Sequence, residues 1–485
     1  MDSTIITRFA PSPTGQLHIG GLRTALYAYL FARAHEGKFL LRIEDTDRSR
    51  YVEGAEESLQ KALLWAGLSW DNEKMVRQSD RLEVYKKYVQ ILLDEGKAYH
   101  CFCSPERLTQ MRLEQQKKKE APKYDRTCAM LSQEEALQKK ENGESCVVRF
   151  RIPEEASQLE FRDAIRGKIG MNTHLIDDQI IMKSDGFPTY HLASVVDDYE
   201  SNVTHVIRGE EWLSSTPKHI LLYKAFGWDI PVFAHLPLLL NADRSKLSKR
   251  QGDVSVEEYK EKGYLPEALV NYVALLGWNP GGGSTKEFFF LSELEKQFNL
   301  KDINKAGAVF DPKRLDWISA HYIKEMSDED LLEKTRPFWK DLFEEKGISG
   351  EKYDDEFLKK VLSIEKSRLA KLSDVGRENI FFFLSIEVEK EMLRFKEMSD
   401  ESVVENLTKA QNALEKIALE DWTQETLGKT LLETCDENAK GEFFWPLRVA
   451  LTGEKKSPPP HEVAWVIGKE KTLERIQRAR KLFSP

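Results

Sequence analysis

Two short words in this chain combine residue types that suit polyphosphate chemistry. His18-Ile-Gly-Gly21 follows a loop rich in proline and glycine and opens a run of helical periodicity. Small residues at Gly20 and Gly21 would let a ligand approach the backbone closely. The free N–H groups and positive dipole end of a helix starting there would face a phosphate. His18 can donate a hydrogen bond to a phosphoryl oxygen without being consumed. The second word, Lys246-Leu-Ser-Lys-Arg250, lies in a loop after an apolar stretch. Lys246 and Lys249 could place two positive charges on one polyphosphate and offset charge that builds at an α-phosphate during displacement. Each word also has a plain reading, a glycine turn in one case and a solvated basic loop in the other. A third group is Cys101, Cys103 and Cys128. With Cys146 and Cys435 they make five cysteines, few and unevenly spaced, which argues against a disulfide framework and fits a reducing compartment. Cys146 alternates with Val148 and Phe150 and is expected to be plain core, Cys435 stands alone, and the first three are left to explain.

These residues need a frame. Thr4 to Phe9 reads as a short strand, which Ala10-Pro-Ser-Pro-Thr-Gly15 cannot continue, because proline removes ladder donors and glycine permits a tight turn. Leu22, Ala25, Leu26, Tyr29 and Leu30 recur at helical spacing, Gly37 stands where a helix stops, and Lys38 to Ile43 is apolar again. This is a βαβ unit, the start of a parallel, doubly wound sheet. Residues 53–96 look helical. From Ala98 the character changes to close cysteines, the Lys117-Lys-Lys119 run and strand-like stretches such as Cys146 to Ile152. This insertion is expected to end near Asp185, where Gly186-Phe-Pro-Thr-Tyr190 returns to the sheet. Thr204 to Arg208 reads as strand, Ser215 to Phe226 as helix, and Pro231 to Leu240 leads to the basic loop. Beyond about Leu265 the pattern is nearly all helical, broken at Gly281-Gly-Gly283 and Pro458-Pro-Pro460.

At 485 residues the chain is too long for one hydrophobic core, so several domains are expected. Hydrophobic residues at 41% and charged residues at 32% fit a globular protein and are too apolar for a disordered one. No basic segment followed by an apolar run opens the chain, and no stretch is long enough to span a bilayer. A cytoplasmic location without a membrane partner is the expectation. The net charge of −9 speaks against nucleic acid on average, but an acidic protein can still present one basic face.

The two phosphate words, separated by a large insertion, resemble those of the class I aminoacyl-tRNA synthetases. The flanking words narrow the family. Arg8-Phe-Ala-Pro-Ser-Pro-Thr-Gly15, Arg42-Ile-Glu-Asp-Thr-Asp-Arg48, Gly186-Phe-Pro-Thr-Tyr-His-Leu192, Val206-Ile-Arg-Gly-Glu-Glu-Trp212 and Pro446-Leu-Arg-Val-Ala-Leu-Thr-Gly453 are similar to bacterial glutamyl-tRNA synthetases over essentially the whole chain. Glutaminyl enzymes share the plan but differ in the first word. The resemblance implies an α/β fold: a doubly wound, Rossmann-like catalytic domain with an α+β insertion, then an all-helical anticodon-binding region. It divides the chain into a first catalytic half (1–97), an acceptor-end insertion (98–185), a second catalytic half (186–255), a stem-contact helical domain (256–325) and an anticodon-side region (326–485). It also implies that a monomer uses ATP with Mg2+ to activate L-glutamate and charge glutamate tRNA.

The resemblance assigns roles to residues as well. His18, Lys246 and Lys249 would be catalytic, and Gly20, Gly21 and Ser248 would join the lysines around ATP. Arg8 and Tyr190 would hold the side-chain carboxylate of glutamate, Arg208 its α-carboxylate and Glu44 its ammonium, with Ser12 and Glu211 lining the same pocket. Ser194 stands where the family often has Asn, and Gly21 where it often has a second His. Cys101, Cys103 and Cys128 resemble a zinc site found in part of the family. Met130 replaces the usual His, and Tyr124 is the substitute fourth ligand. Structural zinc and buried free thiols both remain open readings. Arg368 lies where relatives that reject glutamine tRNA carry a discriminating arginine. Arg475, Arg478, Arg480 and Lys481 read as a solvated helix end. A non-catalytic RNA-binding paralogue would keep the helices and lose the nucleotide loops, which this chain retains.

Overall fold

The computed structural model describes residues 4–153, 158–247 and 255–483. These form two compact units. One runs up to Glu261 and resumes from Pro266 to Leu315; the other comprises Lys262–Leu265 and the chain from Asp316.

The first unit holds strands β1 (Ile6–Phe9), β2 (Lys38–Ile43), β3 (Val76–Arg77), β4 (Ala98–Cys101), β5 (Val147–Phe150), β6 (Leu159–Asp163), β7 (Gly167–Met171), β8 (Ile180–Met182), β9 (His205–Gly209), β10 (Val232–Leu236), β11 (Leu239–Leu240) and β12 (Ala308–Val309). Its helices are α1 (Ile19–Ala34), α2 (Ala55–Trp65), α3 (Leu82–Asp94), α4 (Pro105–Lys117), α5 (Gln133–Glu141), α6 (Tyr190–Glu200), α7 (Thr216–Phe226), α8 (Val256–Glu261), α9 (Pro266–Ala274) and α10 (Leu291–Gln297). Strands β1, β2 and β3 pair in parallel, and so do β9, β10 and β6. Thr204 joins the two groups: its N–H donates to Ile6 O and its Oγ1 accepts from Ile6 N, both at 2.9 Å. The order β3-β2-β1-β9-β10 is the doubly wound arrangement, with its switch point between β1 and β9. Strands buried on both faces read as apolar runs, which is why β2 was legible from sequence.

Three details differ from the sequence reading. Residues 53–96 are not uniformly helical, because Val76–Arg77 adds a strand beside Arg42–Ile43; two residues are too short to carry a periodicity. Gly186-Phe-Pro-Thr leads into α6 and not into a strand, with Tyr190 its first residue. Helix α1 ends at Ala34, capped by His35. Gly37 serves a different need, since a Cβ there would meet Ile5 O at 2.2 Å. Within residues 98–185, β4, β5 and β8 form an antiparallel sheet, whereas the β6–β7 hairpin extends the sheet of β9 and β10.

The chain enters the second unit within α11 (Pro312–Glu325) and continues through α12 (Asp328–Lys346), α13 (Asp355–Glu365), α14 (Asp400–Glu415), α15 (Gln424–Thr434), α16 (Lys440–Thr452), α17 (Pro460–Ile467) and α18 (Lys469–Lys481). No strand occurs there among the described residues. Side chains of Ser327, Asp354, Ser399 and Thr423 accept N–H donors of the first turns they precede, the local signal that starts these helices. Trp339, Phe382, Leu407 and Val463 are buried in its core. The basic end of α18 is solvated in part: Arg478 and Lys481 are exposed as expected, Arg480 is half-buried, and Arg475 is the exception. Arg475 is buried and donates to the carbonyls of Leu451, Phe381 and Leu384. Arg478 reaches Ile386 O and Arg480 reaches Gln411 Oε1. Guanidinium forks there satisfy carbonyls that would otherwise be orphaned.

Candidate active site

A cavity of about 860 Å³ opens at the carboxyl ends of β1, β2 and β9, the place where doubly wound sheets bind ligands. It gathers Arg8, Ser12, His18, Gly20, Gly21, Glu44, Tyr190, Arg208, Glu211 and Lys246, residues that the sequence spreads over more than two hundred positions. Ser248 and Lys249 lie outside the described residues. Ser194 is not part of the lining; it is fully buried on α6, and its hydroxyl has no partner among the described residues.

One wall is a buried ionic network. Arg8 grips Asp198 with Nε at 3.0 Å and Nη2 at 3.3 Å. Arg42 donates to Asp198 at 2.7 Å and to Glu44 Oε1 at 3.0 Å. Asp197 accepts from Gln78, Arg81 and Tyr85. Removing one member of such a network leaves an uncompensated buried charge, a cost of about 3–5 kcal/mol. Burial pushes the Glu44 carboxyl up, against the pull of Arg42 and Arg8. Asp198 is held below the usual range, because Arg8 and Arg42 outweigh its own burial. The sequence reading passed over Arg42, Asp197 and Asp198; an acidic pair directly after Leu192-Ala-Ser-Val-Val196 was the available signal.

Arg208, on the strand beside β1, forms a second wall, and its described partners are all neutral. Nε donates to His235 Nε2 at 3.1 Å, Nη1 to the Tyr190 hydroxyl at 2.9 Å and Nη2 to Thr216 Oγ1 at 2.9 Å. His219 stands 3.4 Å from Nη1 and pairs through its other nitrogen with His191. Burial first, and then the Arg208 charge, drives His219 well down and keeps it neutral. Tyr190, whose ring meets that of Trp212 at 4.4 Å in a tilted pair, stays a phenol because burial raises it. A buried guanidinium without a carboxylate among its described partners is costly by itself, and an incoming anion would relieve that cost.

The third wall is the start of α1. His18 caps the helix, its Nδ1 accepting from Gly21 N at 3.0 Å. That bond leaves the ring proton on Nε2. A Cβ on Gly20 would lie 2.9 Å from His18 Cε1, so the imidazole keeps its capping position only while glycine stands there. Lys246 bridges Leu240 across the turn Asn241–Ser245, where Asn241 N donates to Ser245 O at 2.8 Å.

Away from the cavity, Cys101, Cys103 and Cys128 bring their sulfurs within 4.8 Å of one another. The Tyr124 hydroxyl sits among them, 3.4 Å from Cys101 Sγ and 3.2 Å from Cys103 Sγ, and accepts Cys128 N at 3.0 Å. The Arg149 guanidinium covers the Tyr124 ring at 4.0 Å. Met130 is 86% exposed and points to no such role. Cys146 is half-buried beside His100, whereas Val148 and Phe150 are buried as expected of that face. In the second unit Arg368 is exposed just past α13 and makes no ion pair among the described residues.

A doubly wound sheet with a phosphate-type helix start, a basic loop and a helical second unit defines a class I synthetase. Residues 4–317 match the family described as tRNA synthetases class I (E and Q), catalytic domain, and residues 330–480 match an anticodon binding domain. The glutamate–tRNA ligase of Alkaliphilus metalliredigens is 46% identical, over 98% of this chain and 98% of its own. That of Clostridioides difficile is also 46% identical, over 97% of each. The crystal structure of a glutamate tRNA ligase from Elizabethkingia meningosepticum, in complex with its amino acid, has a TM-score of 0.89 and 36% identity, covering 99% of this chain and 100% of that one. The chain belongs to the glutamate–tRNA ligases.

Proposed function

We propose that the cavity activates L-glutamate with ATP and delivers it to the terminal adenosine of glutamate tRNA, and that Arg208 receives the α-carboxylate. The observation that carries this reading is the buried Arg208 guanidinium whose described partners are all neutral. Arg8 and the Tyr190 phenol, which Arg208 itself contacts, take the side-chain carboxylate, while Glu44, with one oxygen on Arg42, offers the other to the ammonium. Ser12 and Glu211 line the same pocket. Glutamate thus meets cations at both carboxylates and an anion at its amine, and its attacking oxygen is aimed and not quenched.

The α-carboxylate attacks the α-phosphorus of ATP in line and pyrophosphate leaves. Gly20 and Gly21 give the phosphates access to the start of α1. The His18 Nε2–H, Lys246 and, outside the described residues, Ser248 and Lys249 meet the charge that builds. Magnesium bound with ATP would neutralise part of the same charge. A tRNA ribose hydroxyl, the 2′ by family analogy, then attacks the adenylate. Residues 98–185 would meet the acceptor end, 256–325 the stem and 326–485 the anticodon side, in a cytoplasmic monomer. Cys101, Cys103, Cys128 and Tyr124 would hold one structural zinc that takes no part in the reaction; three thiols around a phenol that accepts a backbone N–H fit a tetrahedral donor set.

The test is charging of purified glutamate and glutamine tRNAs with labelled glutamate, with ATP omitted as control. Charging of glutamate tRNA alone is expected, with discrimination through Arg368; charging of both would remove that role from Arg368. Arg208→Ala should raise the KM for glutamate at least about tenfold, the cost of an unmade charged hydrogen bond. An unchanged KM would overturn the assignment of Arg208.

A further inference from the structure

We infer that Asp163 and His235 form a positioning pair that holds Arg208 in its carboxylate-receiving pose. The inference rests on the reading of Arg208 above. Neither residue lines the cavity, and both side chains are fully buried. Asp163 ends β6, a strand from the stretch that looks like an insertion in sequence, and His235 lies on β10 beside it. Asp163 Oδ1 is committed to the turn that follows, accepting Ile165 N at 2.9 Å and Arg166 N at 2.8 Å. Its Oδ2 faces His235 Nδ1 at 2.6 Å.

An ionised carboxylate can only accept, so Nδ1 must carry the imidazole proton. The lone pair is therefore on Nε2, where it receives Arg208 Nε–H at 3.1 Å and the Thr216 hydroxyl at 3.1 Å. Thr216 in turn accepts Arg208 Nη2. Two edges of the guanidinium are thus fixed by one imidazole tautomer, and that tautomer is fixed by a carboxylate which never touches the ligand. Burial and the Arg208 charge keep His235 neutral, as this arrangement needs. The next residue but two along the hairpin, Arg166, pairs with Glu210 and donates to Lys305 O at 2.7 Å, so the turn that carries Asp163 is itself anchored beside the pocket.

Asp163→Asn separates this role from simple packing. The amide has the same shape, but its oxygen must still serve the two turn N–H groups, so its NH2 faces His235. The imidazole then has to accept at Nδ1 and carry its proton on Nε2, which points an N–H at the Arg208 Nε–H. In full charging assays of the whole chain, the KM for glutamate should rise about tenfold or more, with the KM for ATP within about twofold and the melting temperature little changed. His235→Gln with Asp163 kept should retain most of the glutamate affinity, because a glutamine amide can donate its NH2 to the Asp163 carboxylate and turn its oxygen to Arg208. A glutamate KM that stays put in Asp163→Asn, or one that rises as far in His235→Gln as in Asp163→Asn, would overturn the inference. Arg208→Ala in the same assay separates the two claims. If it raises the glutamate KM while Asp163→Asn does not, only the positioning role falls; if it does not, the reading of Arg208 falls first.

Discussion

Residue chemistry in this chain is decided by neighbours that the sequence does not announce. Tyr124 is the sharpest case. As one residue in a Lys-rich stretch it is an ordinary half-polar side chain, yet its hydroxyl lies 3.2 Å from Cys103 Sγ and 3.4 Å from Cys101 Sγ. Burial first, and then hydrogen bonds to the three thiols, raises the phenol far above its usual range. A dication at this point would reverse that order and stabilise thiolates and phenolate together. Elemental analysis of the purified chain should therefore find one zinc. Tyr124→Phe should weaken retention against a chelator by at least about tenfold, and Cys101→Ser should abolish it. Metal-free protein with full activity and an unchanged melting temperature would favour free thiols instead. The same dependence on neighbours explains which site residues were legible. Arg8, Glu44, Tyr190 and Arg208 stand inside recognisable words, whereas Asp163, His219 and His235 stand in none.

At the level of elements, the start of α1 does the most work per residue. Gly20 and Gly21 read in sequence as room for a ligand, and they do line the cavity. The packing adds a second reason: Cβ atoms there would fall 2.9 Å from His18 Cε1 and 2.8 Å from Leu17 Cδ1. Alanine in a helix is favoured over glycine by up to about 1 kcal/mol, so Gly20→Ala sets two effects against each other. The melting temperature should hold or rise while kcat falls at least about tenfold, because the imidazole must swing off Gly21 N. Parallel loss of both, measured by thermal unfolding and steady-state charging, would refute this. Short elements were the ones missed. Val76–Arg77 and Ala308–Val309 exist as strands because Arg42–Ile43 and Leu239–Leu240 offer them edges, and nothing local marks them.

For the whole molecule, a net charge of −9 has to coexist with an RNA substrate. Phosphate contacts are made by exposed cations and weaken with salt, while Arg208 is buried and screened little. Raising salt from about 50 to about 200 mM should lift the KM for tRNA at least about tenfold and leave that for glutamate within about twofold. A parallel rise of both, in charging assays across that range, would mean that the carboxylate site is solvent-screened after all. The sequence by itself determined the family, the βαβ start, the helical second unit and ten of the residues that line the cavity, since these rest on periodicity, turn chemistry and contiguous words. Tertiary structure alone decided the charge balance of the site. Asp198 neutralises Arg8 from 190 positions away, and Asp163 reaches Arg208 through His235 across the β6–β10 pairing. It also buried Arg475, expected on a solvated helix end, as a clamp on the carbonyls of Leu451 and Phe381. The physical reason is the same in each case: burial makes the state of a charged group depend on its contact partners, and contact across a sheet or between helices leaves no local mark in the chain.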